Sequence, residues 1–196
     1  MKSRLAAEVG ADVAREAYRL LAETVWERLA HSDMERHLWV EPASEAVRTA
    51  HWLRGADRVE PQPSGDLGER LSAAFAAAFA RGTPWAAAVG TDSPDLDATH
   101  ALLAGRALAA ADLAIVPALD GGYALIALRA PEPRLFGGIP WGTPGVLDAT
   151  LARAAKLGLR AAVLEPVSDV DTLADLQRAA VRFPQVWPSG PPARPT

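Results

Sequence analysis

The chain has 196 residues, of which 49% are hydrophobic and 22% are charged, and its formal net charge of −4 fits one ordinary globular domain. It contains no cysteine, which excludes disulfides, thiolate zinc sites and cysteine nucleophiles and leaves oxygen or histidine to bind any metal. The mild acidity argues against a nucleic-acid partner, and the lack of a signal-peptide core or an apolar run of about 18 residues predicts a cytoplasmic protein with no membrane partner.

Hydrophobic periodicity predicts one long helix at the start of the chain. Its apolar face consists of residues three or four positions apart, namely Leu5, Val9, Val13, Ala17, Leu21, Val25 and Leu29. A short strand is predicted at 37–40, followed by a helix that Ser44 caps and by an extended piece at 59–62. Residues 65–70 then open an alanine-rich helix, which we expect to end at Gly82.

The middle of the chain alternates between apolar strands and helices. A strand of small residues at 85–89 leads to Asp92, and we expect Asp95 to cap the helix that follows. Two further strands are predicted at 113–116 and 123–128.

The last third of the chain continues this alternation. Thr143 and Pro144 suit the N-cap and the first position of a helix. A strand at 161–164 comes next, and Thr172 with Asp175 three residues later predicts a capping box at the start of a final helix.

Repeated alternation of strand and helix predicts an α/β fold of three layers, α/β/α, with a mainly parallel sheet. We expect one domain over residues 1–183 and an irregular, proline-rich tail over residues 184–196.

Four short motifs fall at junctions between predicted elements and loops. They are Gly65-Asp66-Leu67-Gly68-Glu69-Arg70, Gly90-Thr91-Asp92-Ser93-Pro94-Asp95-Leu96, Asp120-Gly121-Gly122-Tyr123 and Asp169-Val170-Asp171-Thr172. In this order they resemble a bacterial group of GT-A-type nucleotide-diphospho-sugar transferases, a glycosyltransferase group sometimes linked to arsenosugar biosynthesis. The group is related to the molybdenum-cofactor and 2-phospholactate guanylyltransferases. The resemblance covers residues 2–180 and implies a GT-A-type fold.

The resemblance implies metal-dependent transfer of a glycosyl group from a nucleotide-diphospho-sugar to a small-molecule acceptor, with Mg²⁺ or Mn²⁺ as the cofactor. Asp92 is the expected metal ligand, because these ions prefer carboxylate oxygens and would bridge the diphosphate. Asp171 matches the second metal ligand of related transferases, and Asp169 is its nearest competitor. Alternatively, Asp92 only caps a helix and Asp171 is a solvated loop carboxylate.

Other residues of these motifs are candidates for catalysis or substrate binding. Asp120 could orient a sugar hydroxyl or act as general base for the acceptor. Gly121 and Gly122 permit close approach of a ligand, or they form only a hairpin turn. Trp141 and Thr143 could offer the substrate an aromatic wall and a hydroxyl, although Trp141 also suits an ordinary core.

Asp66 is a further candidate for substrate binding, although its place before a predicted helix is explained equally well by helix capping.

The start of the chain departs from the group's pattern, in which an apolar strand and a Pro/Gly loop precede Lys-Thr-Arg-Leu. Only the basic end of that motif is present, and Lys2 and Arg4 would bind the nucleotide phosphates. The resemblance therefore implies an N-terminally truncated domain, two strands without their usual ladder partner, and weak nucleotide binding.

Two other functions stay open at this point. The first is nucleotidyl transfer, in which a phosphorylated acceptor attacks the α-phosphate of a nucleoside triphosphate with the same metal and phosphate geometry. The second is a non-catalytic remnant that serves as an accessory binding module. The donor nucleotide, the sugar and the acceptor depend on pocket contacts that short motifs do not define.

Overall fold

The computed structural model of the chain describes residues 3–187. Its helices are α1 (Ser3–Val9), α2 (Ala11–Leu29), α3 (Ala46–Trp52), α4 (Leu67–Ala80), α5 (Ala98–Ala107), α6 (Val146–Lys156) and α7 (Leu173–Arg182). Its strands are β1 (His37–Val40), β2 (Arg58–Pro61), β3 (Ala86–Val89), β4 (Leu113–Pro117), β5 (Tyr123–Leu128) and β6 (Ala161–Val163). No described helix is long and apolar enough to cross a membrane.

The prediction of one long first helix is wrong at Gly10, which separates α1 from α2. Gly10 has φ 87°, a left-handed conformation that glycine adopts without steric cost and that interrupts the helical path. Leu5 of α1 and Leu21 of α2 are nevertheless both buried in one hydrophobic cluster. The predicted apolar face is therefore present, but two helices share it.

Three predicted helix starts also differ from the structure. Ser44 does not cap α3, because it lies inside the 3-10 turn Ala43–Glu45 and makes no capping hydrogen bond. Asp97, rather than Asp95, caps α5, because its carboxylate accepts hydrogen bonds from the backbone N–H groups of Thr99 and His100. The next predicted cap, Thr143, lies before a turn, and α6 begins three residues after it.

The strands form two sheets. The main sheet has the order β3-β5-β4-β6, and β1 pairs with β2 in a separate parallel sheet. Within the described residues, β1 and β3 each have one ladder partner. In the main sheet β5 is antiparallel to β3 and β4, whereas β4 and β6 are parallel. Three of the four strands therefore run in one direction, as predicted, and the correction concerns β5, which returns as the hairpin partner of β4.

Side chains of α2 and of the end of α4 connect the β1–β2 sheet to the rest of the molecule. Trp52 Nε1 donates a hydrogen bond to Glu23 Oε1 of α2 over 2.6 Å. Arg81 Nη2, just after α4, lies 2.6 Å from Glu60 Oε1 of β2. Among the described residues, no strand of one sheet pairs with a strand of the other, and polar side-chain contacts help to connect them.

Strand β4 shows why both faces of the main sheet are covered by helices. All five of its residues are buried. Leu113 and Ile115 pack with Phe75 of α4, whereas Ala114 and Val116 pack in the cluster that contains α5. Because successive side chains of a strand point to opposite faces, this alternation produces the predicted three layers.

A third hydrophobic cluster joins α1, α2 and α7. The predicted capping box of Thr172 and Asp175 opens α7. Leu176 is fully buried in this cluster, and so is Val186 of the short 3-10 turn Pro184–Val186. The packed chain thus continues past residue 183, where the sequence suggested an irregular tail.

Truncation of Leu176 to alanine tests how strongly this cluster stabilises the domain. Leu176 is 0% exposed, so Leu176→Ala should lower the free energy of unfolding by about 2–5 kcal/mol in urea titrations. Val181→Ala is the matched control, because Val181 is on the same helix and 82% exposed. The control should change stability by less than about 0.5 kcal/mol. Equal losses in the two variants would contradict a role for burial at this helix.

Candidate functional site

Three carboxylates converge where strands of the main sheet end. Asp120, Asp169 and Asp171 each offer one oxygen atom, and these atoms lie within 4.8 Å of one another. Asp120 follows β4, and the other two follow β6, its parallel neighbour. Because parallel strands end at the same edge of a sheet, the fold brings these loops together. We call these three residues the acidic cluster.

The pairing of β4 with β6 continues beyond the two strands. Ala118 forms an isolated parallel bridge with Val167. The N–H of Leu119 donates a hydrogen bond of 3.2 Å to the carbonyl of Val167. These contacts fix the loop that carries Asp120 beside the loop that carries Asp169.

Val170 determines which way its two acidic neighbours face. Val170 is 1% exposed and packs in the cluster of α1, α2 and α7. Asp169 and Asp171 flank it in the sequence, and one carboxylate oxygen of each lies within 4.8 Å of the other. Burial of one valine thus orients two carboxylates of the acidic cluster.

Asp92, the first predicted metal ligand, lies next to the acidic cluster but is not one of its three members. Its carbonyl accepts a hydrogen bond of 3.0 Å from the N–H of Val170, and its Oδ1 atom is buried. The structure therefore brings Asp171 together with Asp120 and Asp169, of which sequence analysis had assigned Asp120 to catalysis and kept Asp169 only as a competitor.

The electrostatics of the acidic cluster are unfavourable for three ionised groups. Burial raises the pKa of Asp169 above its usual value, and the charges of Asp120, Asp171 and Asp175 raise it further. A divalent cation would relieve this repulsion, and carboxylate oxygens are the ligands that Mg²⁺ and Mn²⁺ prefer. The residues present therefore fit the metal that the resemblance implied.

One of the two predicted phosphate ligands lies at the acidic cluster. Nη1 of Arg4, on α1, is 3.4 Å from Oδ2 of Asp171. Lys2, the other predicted phosphate ligand, lies outside the described residues. The structure thus places a cation of the first helix against a carboxylate of the cluster.

The loop with Gly121 and Gly122 is the hairpin turn between β4 and β5. Gly122 N–H donates to Asp120 Oδ1 over 2.8 Å, which orients that carboxylate. Gly121 has φ 92°, and its carbonyl accepts a hydrogen bond from Leu147 of α6. A Cβ atom at Gly121 would lie 2.1 Å from the carbonyl oxygen of Pro144. The turn and its packing on the start of α6 explain Gly121 without a ligand, and a Cβ atom at Gly122 would lie 3.1 Å from Asp120 Oδ1.

Three predicted substrate-binding residues have structural roles. Trp141 packs edge-on against Tyr123, with 6.3 Å between ring centroids, and its Nε1 atom is buried. Thr143 Oγ1 donates to the carbonyl of Pro140 over 2.8 Å and so stabilises the turn before α6. Asp66 caps α4 in a reciprocal capping box. These contacts match the structural alternatives considered for Asp66 and Trp141.

Tyr123 is a half-buried residue with a buried hydroxyl group, and sequence reasoning did not select it as a site residue. Burial raises the pKa of Tyr123 to about 12, so its hydroxyl stays protonated at neutral pH. Tyr123 directly follows the Gly-Gly turn. Its position at the first residue of an apolar strand was the sequence signal that could have drawn attention to it.

Comparison with known proteins agrees with this architecture. Residues 24–143, more than half of the chain, match the family described as "Uncharacterized protein conserved in bacteria (DUF2064)". The chain belongs to the DUF2064 family. No curated protein matches it.

A solved structure extends this likeness over nearly the whole chain. It is that of a "putative nucleotide-diphospho-sugar transferase" from Desulfovibrio desulfuricans G20, which is 31% identical to this chain. The match covers 96% of this chain and 83% of that protein, with a TM-score of 0.83. The predicted fold of nucleotide-diphospho-sugar transferase type is confirmed.

Two glycine substitutions test the packing of the Asp120 loop. Both Gly121 and Gly142 have positive φ, so alanine at either position should cost about 1–2 kcal/mol of stability. Only Gly121→Ala also forces a Cβ atom against Pro144, which adds about 1–3 kcal/mol, whereas a Cβ at Gly142 meets nothing within 4 Å. Chemical denaturation should rank Gly121→Ala as the less stable variant. Equal stabilities would mean that the loop does not rest on the start of α6.

The repulsion within the acidic cluster gives a pH-dependent prediction for Asp169→Asn in EDTA. A raised carboxyl pKa means that native Asp169 holds its proton more tightly than unfolded Asp169, so stability is lost as pH rises through the native pKa. Asp169→Asn should therefore have a higher Tm than the wild type at pH 7. The gain should vanish below pH about 3.9, the usual Asp value. Asp12→Asn, on exposed α2 surface, controls for loss of one charge, and a similar gain in that variant would contradict the local explanation.

Proposed function

We propose that this protein is a metal-dependent glycosyltransferase that uses a nucleotide-diphospho-sugar donor and a small-molecule acceptor. The observation that carries this proposal is the convergence of three carboxylates at the end of parallel strands. The fold is that of a nucleotide-diphospho-sugar transferase, and the carboxylates lie in the crevice where open α/β sheets bind their ligands.

The acidic cluster would hold Mg²⁺ or Mn²⁺ through Asp120, Asp169 and Asp171. When bound, such an ion would neutralise the charge that develops on the diphosphate leaving group. Asp92 fixes the loop of Asp169 and Asp171 through its main chain. Arg4, together with Lys2, supplies positive charge for the phosphates.

The geometry changes the role that we propose for Asp120. Sequence analysis assigned it to orientation of a sugar hydroxyl or to general base catalysis. Its carboxylate shares the acidic cluster with two others, and a carboxylate bound to a divalent cation is a weak base, because the ion stabilises the deprotonated form. We therefore propose Asp120 as a metal ligand, held in place by its hydrogen bond from Gly122.

The decisive experiment measures the release of nucleoside diphosphate from UDP- and GDP-sugars in the presence of Mn²⁺. Donor concentrations should extend into the millimolar range, so that weak donor binding does not hide the reaction. Asp169→Asn and Asp171→Asn should each lower the rate by more than about 100-fold, since loss of even an outer-shell partner of a metal costs about 10–100-fold. Asp12→Asn, a remote exposed carboxylate, should keep the wild-type rate.

Product analysis separates this proposal from the two other functions. Release of pyrophosphate from a nucleoside triphosphate, with no diphosphate from nucleotide sugars, would indicate nucleotidyl transfer. A folded Asp169→Asn or Asp171→Asn variant that keeps every measurable function would indicate a non-catalytic binding module.

A further inference from the structure

Arg4 is a cation that the fold itself brings to the acidic cluster. Its Nη1 atom lies 3.4 Å from Asp171 Oδ2. The next residue, Leu5, is fully buried in the cluster of α1, α2 and α7. Asp171 in turn immediately precedes Thr172, the N-cap of α7. The ion pair thus joins two helices that pack on each other, and its backbone positions are fixed by apolar burial.

The guanidinium group, in contrast to the backbone, has room to move. The side chain of Arg4 is 68% exposed, whereas that of Asp171 is 32% exposed. The separation of 3.4 Å is long for a charge-assisted hydrogen bond, which is usually about 2.7–2.9 Å. Arg4 can therefore leave Asp171 for another anion nearby without disturbing the packing of Leu5.

A divalent cation would neutralise most of the negative charge that faces Arg4 at the cluster. Without a metal, Arg4 offsets part of the repulsion among Asp120, Asp169 and Asp171. With a divalent cation on the same carboxylates, Arg4 would face a like charge at close range, which is unfavourable. A diphosphate bound at the metal would restore a negative partner for the guanidinium group.

We propose that Arg4 couples metal binding to nucleotide binding by exchanging its partner. It pairs with Asp171 while the acidic cluster holds no metal, and it turns to the nucleotide phosphates once metal and nucleotide are both bound. This inference rests on the proposed function, because it takes the acidic cluster as the metal site. By thermodynamic linkage, Arg4 should weaken the binding of metal alone and strengthen the effect of nucleotide on metal affinity.

Titration with Mn²⁺ tests this coupling without any measurement of activity. The affinity for Mn²⁺ is measured by electron paramagnetic resonance for the wild type and for Arg4→Gln, with and without UDP. In the absence of UDP, Arg4→Gln should bind Mn²⁺ at least about 5-fold more tightly than the wild type does, which is the lower end of the usual coupling between two sites. UDP should tighten Mn²⁺ binding in the wild type, and this enhancement should shrink in Arg4→Gln.

Two further variants serve as controls. Arg4→Lys keeps the positive charge and should behave more like the wild type than Arg4→Gln does. Arg15→Gln removes an exposed arginine of α2 that pairs with Asp12, and it should match the wild type in both arms. Thermal unfolding of each variant confirms that the fold is intact, as expected for exposed side chains.

The possible failures are distinguishable. If the wild type binds Mn²⁺ and Arg4→Gln has the same or a lower affinity, the proposal for Arg4 is overturned and the metal site stands. Tighter Mn²⁺ binding with an undiminished UDP effect would overturn the exchange of partners. If neither protein binds Mn²⁺, the metal site of the proposed function fails, and the role of Arg4 fails with it.

Discussion

The parallel pairing of β4 with β6 is the interaction on which the candidate site depends. It continues past the strands to Ala118 and Val167, and only this continuation sets Asp120 beside Asp169. Strand β4 is buried along its whole length, so a shift of its register by one residue would exchange the side chains of its two faces. The packing of the core therefore fixes the register of β4, and with it the position of Asp120 in the acidic cluster.

The same arrangement places stability and ligand binding in opposition. Burial raises the pKa of Asp169, and the repulsion of the neighbouring carboxylates raises it further. A fold optimised for stability alone would place such groups apart. Val170, between two of the carboxylates, is buried, and the free energy gained by apolar burial offsets their repulsion. This opposition between stability and charge is typical of functional sites.

The sequence predicted those features that depend on local residues. An acidic residue after an apolar run marked Asp92, its place beside two glycines marked Asp120, and the resemblance to related transferases marked Asp171. The break at Gly10 was missed because α1 and α2 bury their apolar residues in one cluster, so the periodicity continues across it. The direction of β5 depended on which reading of Gly121 and Gly122 was correct, because the hairpin turn makes β5 antiparallel to β4, whereas the apolar strand itself reads alike in either orientation. The inclusion of Asp169 depended on the tertiary burial of Val170, which no local pattern encodes.

The division of the strands into two sheets has a consequence for the response to salt. None of the three core clusters among the described residues contains a residue of β1, α3 or β2. Their attachment to α2 and α4 includes the carboxylates of Glu23 and Glu60. A partly exposed ion pair such as Arg81 with Glu60 weakens as salt is added, whereas apolar burial is not screened. The domain therefore combines a salt-resistant main sheet with a smaller sheet whose attachment weakens as ionic strength rises.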